Sequence, residues 1–243
     1  MGDPKKQVAL ITGAGGGLGR AIATDLAKIN FEIGVHYYRN KEGAFITKRI
    51  LEDLGTKAHV LEADLTKPEE AIRLVHELTD NFGRLDLLVN NSGVYHMKTL
   101  SDLSFSEWQE GIHSTATTTF LMTQNCLPLL RQSNNGRIIN IGDSSCDRIG
   151  ARNLSISYHI GKTGVLMLTK SFAQEEAKQG VTVNMVSPGC LENSIDNPDP
   201  TKIPAGKLGA FEDITEAIRF LIKPEAGYIT GSNIIASGGW NLR

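Results

Sequence analysis

The sequence predicts a doubly wound α/β fold, with seven mostly parallel strands and helices on both faces of the sheet. Three observations lead there. Short apolar runs alternate with segments of helical period from one end of the chain to the other. A glycine-rich turn stands directly after the first apolar run. The 243 residues suffice for one large core and contain no linker, repeat or low-complexity tract. Such alternation implies right-handed crossovers and parallel strands. The chain is expected to form a single domain over residues 1–243.

Each element has its own signal. Residues 8–12 form a buried-type strand. The helix after it repeats Leu18, Ile22, Leu26 and Ile29 on one face. Residues 33–37 are the second strand. Residues 43–54 are the second helix, closed by Gly55. Residues 58–62 are the third strand. Pro68 opens a helix whose Ala71, Ile72, Val75 and Leu78 are expected to share a face, and Gly83 ends it. Strands follow at 85–90, 137–142, 181–186 and 233–236. A long helix is expected over 106–131, another over 157–178 stopped near Gly180, and a shorter one over 211–222. Residues 190–209, with Pro198, Pro200 and Pro204, lack periodicity. A loop that long in a compact domain is usually functional.

Composition excludes several classes. Hydrophobic residues make up 40% and charged residues 21% of the chain, a globular balance. Twenty-five basic against 27 acidic residues leave a net charge of −2, too little field to draw nucleic acid or anionic lipid. Cys126, Cys146 and Cys190 are odd in number and widely spaced, which suits a reduced cytoplasmic protein. The six histidines show no metal-ligand spacing, so no metal is expected. No apolar run reaches the roughly 18 residues of a membrane span. Residues 1–6 lack an apolar signal core, and Lys6 stands where a myristoylation site wants Ser or Thr. The expected location is the cytoplasm.

Two constellations carry chemistry. The first is Thr12-Gly13-Ala14-Gly15-Gly16-Gly17-Leu18-Gly19, between a strand and a helix. Glycines there let backbone N–H groups approach a pyrophosphate at the helix N-terminus. Such a turn usually has an acid about 20 residues on, gripping a ribose hydroxyl. Here the second strand ends Tyr37-Tyr38-Arg39-Asn40 instead. A missing acid and a present arginine favour the 2′-phosphate of NADP(H) over NAD(H). The second is Tyr158 and Lys162, four apart on a predicted helix and so on one face. A nearby ammonium is expected to lower the phenol pKa, and such a tyrosine can give a proton to a carbonyl oxygen. Tyr37 and Lys41 repeat the spacing at a strand end, where the two need not share a face.

The order of Thr12-Gly13-x-x-x-Gly17-x-Gly19, Asp64-Leu65, Asn90-Asn91-Ser92-Gly93, Tyr158-x-x-x-Lys162 and Ser187-Pro188-Gly189 resembles the short-chain dehydrogenase/reductase family over residues 7–240. Pro204-Ala205-Gly206-Lys207-Leu208-Gly209 and Tyr228-Ile229-Thr230-Gly231 are similar to its 3-oxoacyl-acyl-carrier-protein reductase branch. The resemblance implies a Rossmann-type fold and roles for matched residues. Asp64 would meet the adenine amine, with Leu65 lining that pocket. Asn91, Ser92 and Gly93 would run beneath ribose and nicotinamide. Lys162 would also hold the nicotinamide ribose, and Pro188 and Gly189 would back its ring. The implied activity is NADPH-dependent reduction of a ketone or 3-oxoacyl carbonyl on a small-molecule substrate.

Departures from the family keep other readings open. The carbonyl-polarising Ser falls on Ser145 when counted back from Tyr158, and on Asp143 when aligned from the fifth strand. An acid there, with Tyr37-Tyr38-Arg39-Asn40, is similar to pteridine reductases, so reduction of a pterin-type C=N bond is the alternative. The helix Asn of the family aligns with Thr115, which leaves a weakly catalytic NADPH-binding or sensing protein as a third reading. The nicotinamide-side Thr aligns with Asn193, and the lid over 194–203 is short. In relatives the two long helices pair between copies. Phe120, Leu121, Leu127 and Leu130, with Val165, Leu168 and Phe172, therefore imply a homotetramer, with a homodimer also open.

Overall fold

A computed structural model describes residues 6–240. Residues 1–5 and 241–243 lie outside the described residues, and most of the N-terminal stretch read above for a targeting signal lies there too. Fourteen elements alternate. They are β1 (Gln7–Ile11), α1 (Gly17–Lys28), β2 (Phe31–Tyr37), α2 (Lys41–Asp53), β3 (Ala58–Glu62), α3 (Pro68–Phe82) and β4 (Leu87–Asn90), then α4 (Phe105–Ile112), α5 (Thr118–Leu130), β5 (Arg137–Ile141), α6 (Ile156–Glu176), β6 (Thr182–Pro188), α7 (Phe211–Ile222) and β7 (Asn233–Ala236). The strands form one sheet in the order β3-β2-β1-β4-β5-β6-β7. Every neighbouring pair is parallel.

Parallel strands covered on both faces need no polar alternation, which is why β1 reads as an unbroken apolar run. Its side chains still divide by period two. Ala9 and Ile11 join the layer packed by α1, α2 and α7, whereas Val8 and Leu10 join the layer packed by α3 and α5. In α3, Pro68 and two glutamates start the helix, and Gly83 in the left-handed conformation stops it. Ala71, Val75 and Leu78 face the core as expected, but Ile72 does not and is exposed. One residue past Ala71 is a 100° turn round the helix, off the apolar stripe.

The expected helix over 106–131 is interrupted. A π-helical turn at His113–Thr117 separates α4 from α5. The Thr115 hydroxyl donates to the carbonyl oxygens of Gly111 at 2.7 Å and Ile112 at 3.0 Å, and Thr118 does the same to Ser114 and Thr115. Side-chain hydroxyls thus compete for the carbonyls that an unbroken ladder would use. The helix expected over 157–178 ends as α6 at Glu176, followed by a 3-10 turn and a left-handed Gly180.

From β1 the chain steps outward to β2 and β3, then returns to pair β4 on the other side of β1. Adjacent connections therefore leave in opposite directions at the C-terminal ends of β1 and β4, which opens a crevice there. Loop 190–209 folds over that end. Leu191 bridges Gly209, and the Gly209 N–H donates to the Cys190 carbonyl, so the loop is closed at its base.

Candidate active site

Two clefts open at the C-terminal ends of the strands, one of about 680 Å³ and one of about 500 Å³, and Gly17 and Gly93 line both. The glycine-rich turn stands between them. Gly13 and Gly17 adopt φ values of +66° and +51°, which glycine reaches without steric penalty. A Cβ on Gly17 would meet nothing within 4 Å. No side chain caps α1 and no acid stands in its first turn, so its positive end is open to an anion. Gly19 plays another part, since a Cβ there would lie 2.3 Å from the Gly13 carbonyl oxygen.

The turn is held from below by His36, Thr12 and Asn91. The Gly13 N–H donates to His36 Nδ1 at 3.1 Å, so Nε2 carries the ring proton and donates to the Ala63 carbonyl at 3.0 Å. Burial holds the His36 pKa down to about 4. Thr12 Oγ1 accepts from the backbone N–H groups of Asn91 and Ser92. The Asn91 amide donates back to the carbonyls of Thr12 and Gly13. Asn91 is thus a clamp on the turn, and Ser92 and Gly93 line the smaller cleft beside it.

Tyr37, Arg39, Asn40, Asp64 and Leu65 line the smaller cleft together. Tyr37 is buried, and its hydroxyl donates to Glu62 rather than meeting Lys41. That bond, with burial, pushes its pKa up to about 12. Asn40 caps α2 by accepting from the Gly43 N–H, and its amide donates to the Gly15 carbonyl. Asp64 accepts from the backbone and hydroxyl of Thr66. Arg39 projects from the end of β2, with Nη1 2.8 Å from Glu110 Oε1.

Leu18, Asp143, Ser145, Tyr158, Lys162, Pro188 and Gly189 line the larger cleft. Lys162 is buried, and its ammonium donates to the Ile141 carbonyl at 2.6 Å. Desolvation holds its pKa down to about 8, against the charge of Asp143. Its Nζ lies 5.4 Å from the centroid of the Tyr158 ring. The Tyr158 phenol is not lowered as expected. Burial, then the negative charge of Asp143, push it up, so it keeps its proton at neutral pH. Asp143 and Ser145 are both at the cleft and paired with each other. The Ser145 N–H donates to Asp143 Oδ1 at 2.8 Å, and its hydroxyl donates to the same oxygen.

Other wall residues carry no spacing signal in the sequence. Tyr95 meets Tyr158 edge-on at 5.2 Å between centroids. His159 Nδ1 is buried without a hydrogen-bond partner, 3.9 Å from Asp143 Oδ1. Arg152 donates to the carbonyls of Ser145 and Arg148, bracing the loop after β5. Asn193 joins this wall from the lid loop. Thr115 is fully buried with its hydroxyl turned onto its own helix.

A profile described as short chain dehydrogenase matches residues 7–202. The chain belongs to the short-chain dehydrogenase family. It is 34% identical over 243 residues to the 3-oxoacyl-acyl-carrier-protein reductase of Vibrio cholerae serotype O1, with 96% of each chain covered. It is 32% identical over 251 residues to glucose 1-dehydrogenase 2 of Bacillus subtilis, covering 99% of this chain and 96% of that one. Among solved structures, the blue fluorescent protein from a metagenomic library in complex with NADPH superposes with a TM-score of 0.89 at 26% identity, covering 97% of this chain and 98% of that one. As a short-chain dehydrogenase the protein is an oxidoreductase that uses a nicotinamide cofactor on a small-molecule substrate. The open end of α1 and the bare Gly17 position fit the pyrophosphate of such a cofactor. Among the described residues, no helix is long and apolar enough to cross a membrane.

Proposed function

We propose that the protein is an NADPH-dependent reductase of a ketone or 3-oxoacyl carbonyl, with Tyr158 as the acid. The observation that carries this reading is the placement of Tyr158 and Lys162 on one wall of the larger cleft, which meets the glycine-rich turn at Gly17. The bound cofactor would supply hydride to the carbonyl carbon. Tyr158 holds the proton that the carbonyl oxygen must receive. Lys162, fixed on the Ile141 carbonyl, keeps a positive charge beside that phenol and would hold a ribose hydroxyl of the bound cofactor. Ser145 supplies a hydroxyl at the same cleft, oriented by donating to Asp143. Pro188 and Gly189 would back the nicotinamide ring, while Asp64 and Leu65 would receive adenine.

The cofactor choice rests on Arg39. Its exposed guanidinium lines the smaller cleft and would bind a 2′-phosphate, and no acid occupies the end of β2. NADPH is expected to bind about tenfold tighter than NADH or more, roughly 1.4 kcal/mol. Arg39→Ala should reduce that preference more than it weakens NADH binding. Equal titration curves for the two cofactors would contradict it.

Asp143 favours a second reading. Its carboxylate accepts hydrogen bonds at the cleft wall and suits a ring carrying N–H groups, such as a pterin with a reducible C=N bond. A panel of ketones, 3-oxoacyl thioesters and pterins, followed by NADPH absorbance, separates the two. Tyr158→Phe should then lower turnover on the best substrate by about a hundredfold or more, with NADPH affinity nearly unchanged. Lys162→Ala should impair both. Turnover by Tyr158→Phe at the wild-type rate would bring the NADPH-sensing reading forward.

We further propose one domain over residues 1–243 with its substrate loop at 190–209, working as a homotetramer in the cytoplasm. Three free cysteines fit a reducing compartment. Leu121, Leu127, Leu130 and Val165 are buried within the chain's own core. Phe120 and Met167 remain exposed on α5 and α6, and the Phe120 and Phe172 rings lie 6.3 Å apart, an apolar seam for a second copy.

A further inference from the structure

The end of β2 carries no acid, yet the cofactor cleft contains two, Asp64 and Glu110. Glu110 lies on α4, on the wall facing Arg39, and both residues line the smaller cleft. Arg39 Nη1 reaches Glu110 Oε1 at 2.8 Å, so the pair spans the cleft. The two partners are not equally held. The Arg39 side chain is 69% exposed, whereas that of Glu110 is 26% exposed. The second oxygen of Glu110 is fixed 2.8 Å from His96 Nε2. Glu110 is therefore the anchored partner and Arg39 the movable one.

A phosphate that binds Arg39 through Nη1 takes the place that this carboxylate occupies. The exposed pair is weak enough to be exchanged. The exchange still costs the Arg39–Glu110 contact, and it leaves two like charges on facing walls of one cleft. A ribose without a 2′-phosphate requires no exchange. We propose that Glu110 is a specificity-determining residue, an internal competitor for Arg39 that limits how strongly the cleft prefers a 2′-phosphorylated cofactor. This rests on the reading of Arg39 as the 2′-phosphate contact.

The test uses 2′,5′-ADP and 5′-AMP, which differ only in the phosphate at issue, titrated calorimetrically into the full-length protein. Glu110→Gln keeps an amide oxygen for His96 and removes the charge. It should bind 2′,5′-ADP about threefold tighter or more and 5′-AMP within about twofold of wild type. In an Arg39→Ala background the same substitution should change 2′,5′-ADP binding by less than about twofold, because the competitor then has nothing to compete for. Suppose wild type does not distinguish the two probes and Arg39→Ala changes neither. The Arg39 reading itself then fails. If wild type prefers 2′,5′-ADP through Arg39 but Glu110→Gln leaves it unchanged or weaker, the role of Glu110 is overturned and the cofactor reading stands. Equal tightening with and without Arg39 also overturns it, since that would be general repulsion rather than competition.

Discussion

Under the glycine-rich turn, His36 joins two backbone groups and does so only when neutral. Its folded pKa of about 4 lies below the ordinary 6.5. Between those values the unfolded chain takes up a proton that the folded one refuses, so stability falls as pH drops through that window. The contribution is about 2 kcal/mol between pH 7 and pH 5. Denaturant melts at the two pH values should show that loss in wild type, and a smaller loss in His36→Asn. Asp143 invites a different measurement. Its charge raises both Tyr158 and Lys162. Asp143→Asn should therefore move the basic limb of the pH–rate profile to lower pH, and an unmoved limb would remove Asp143 from the electrostatics of the cleft. Tyr158 and Lys162 were legible because a helix places residues four apart on one face. His36, Tyr95, His159 and Glu110 were not, because their partners come from other strands and helices and no local spacing encodes that meeting. Only the polar His36 within the buried stretch 33–37 left a trace.

Apolar period located the helices, yet it missed the π turn between α4 and α5. That turn is made by hydroxyls bonding to carbonyls, and a periodicity of apolar residues does not register them. The signal was the polar run Ser114-Thr115-Ala116-Thr117-Thr118-Thr119, a poor helix former. The turn seats Thr115 against α6, where Gly161 leaves room for it. A Cβ on Gly161 would lie 1.8 Å from Thr115 Oγ1, and one on Gly111 would lie 2.2 Å from Ser157 Oγ. Gly161→Ala should cost about 1–3 kcal/mol of stability, as overpacking does. Because the clashing atom is the Thr115 hydroxyl, Thr115→Ala should recover part of that loss when combined with it. Thermal melts of the two single variants and the double variant give the coupling directly. Simple additivity would mean that the helices adjust elsewhere.

Across the molecule, α7 is tied to α1 by a bidentate pair of Arg219 with Asp25, both bonds at 2.6 Å. The seven strands and the parallel sheet were readable from alternation alone. The side of each helix left for a second copy was not, because periodicity cannot say which apolar residues their own sheet will cover. Light scattering at micromolar concentration should find an assembly of about four chains. A lone 26.4 kDa species would contradict it. Phe120→Lys combined with Phe172→Lys should break the assembly apart. The bare position at Gly17 has a consequence for such an assembly. Aspartate tolerates the left-handed conformation better than most residues, would strike no neighbour within 4 Å there, and would favour the start of α1. Its charge would stand where a pyrophosphate must lie. Gly17→Asp should therefore yield a full-sized, well-folded subunit that carries no cofactor, a silent passenger. Mixed with wild-type chains in known proportions, it would tell independent workers from a team. Activity falling in simple proportion to the passengers means that each subunit runs alone, and a steeper fall means that a subunit feels its neighbour's empty cleft.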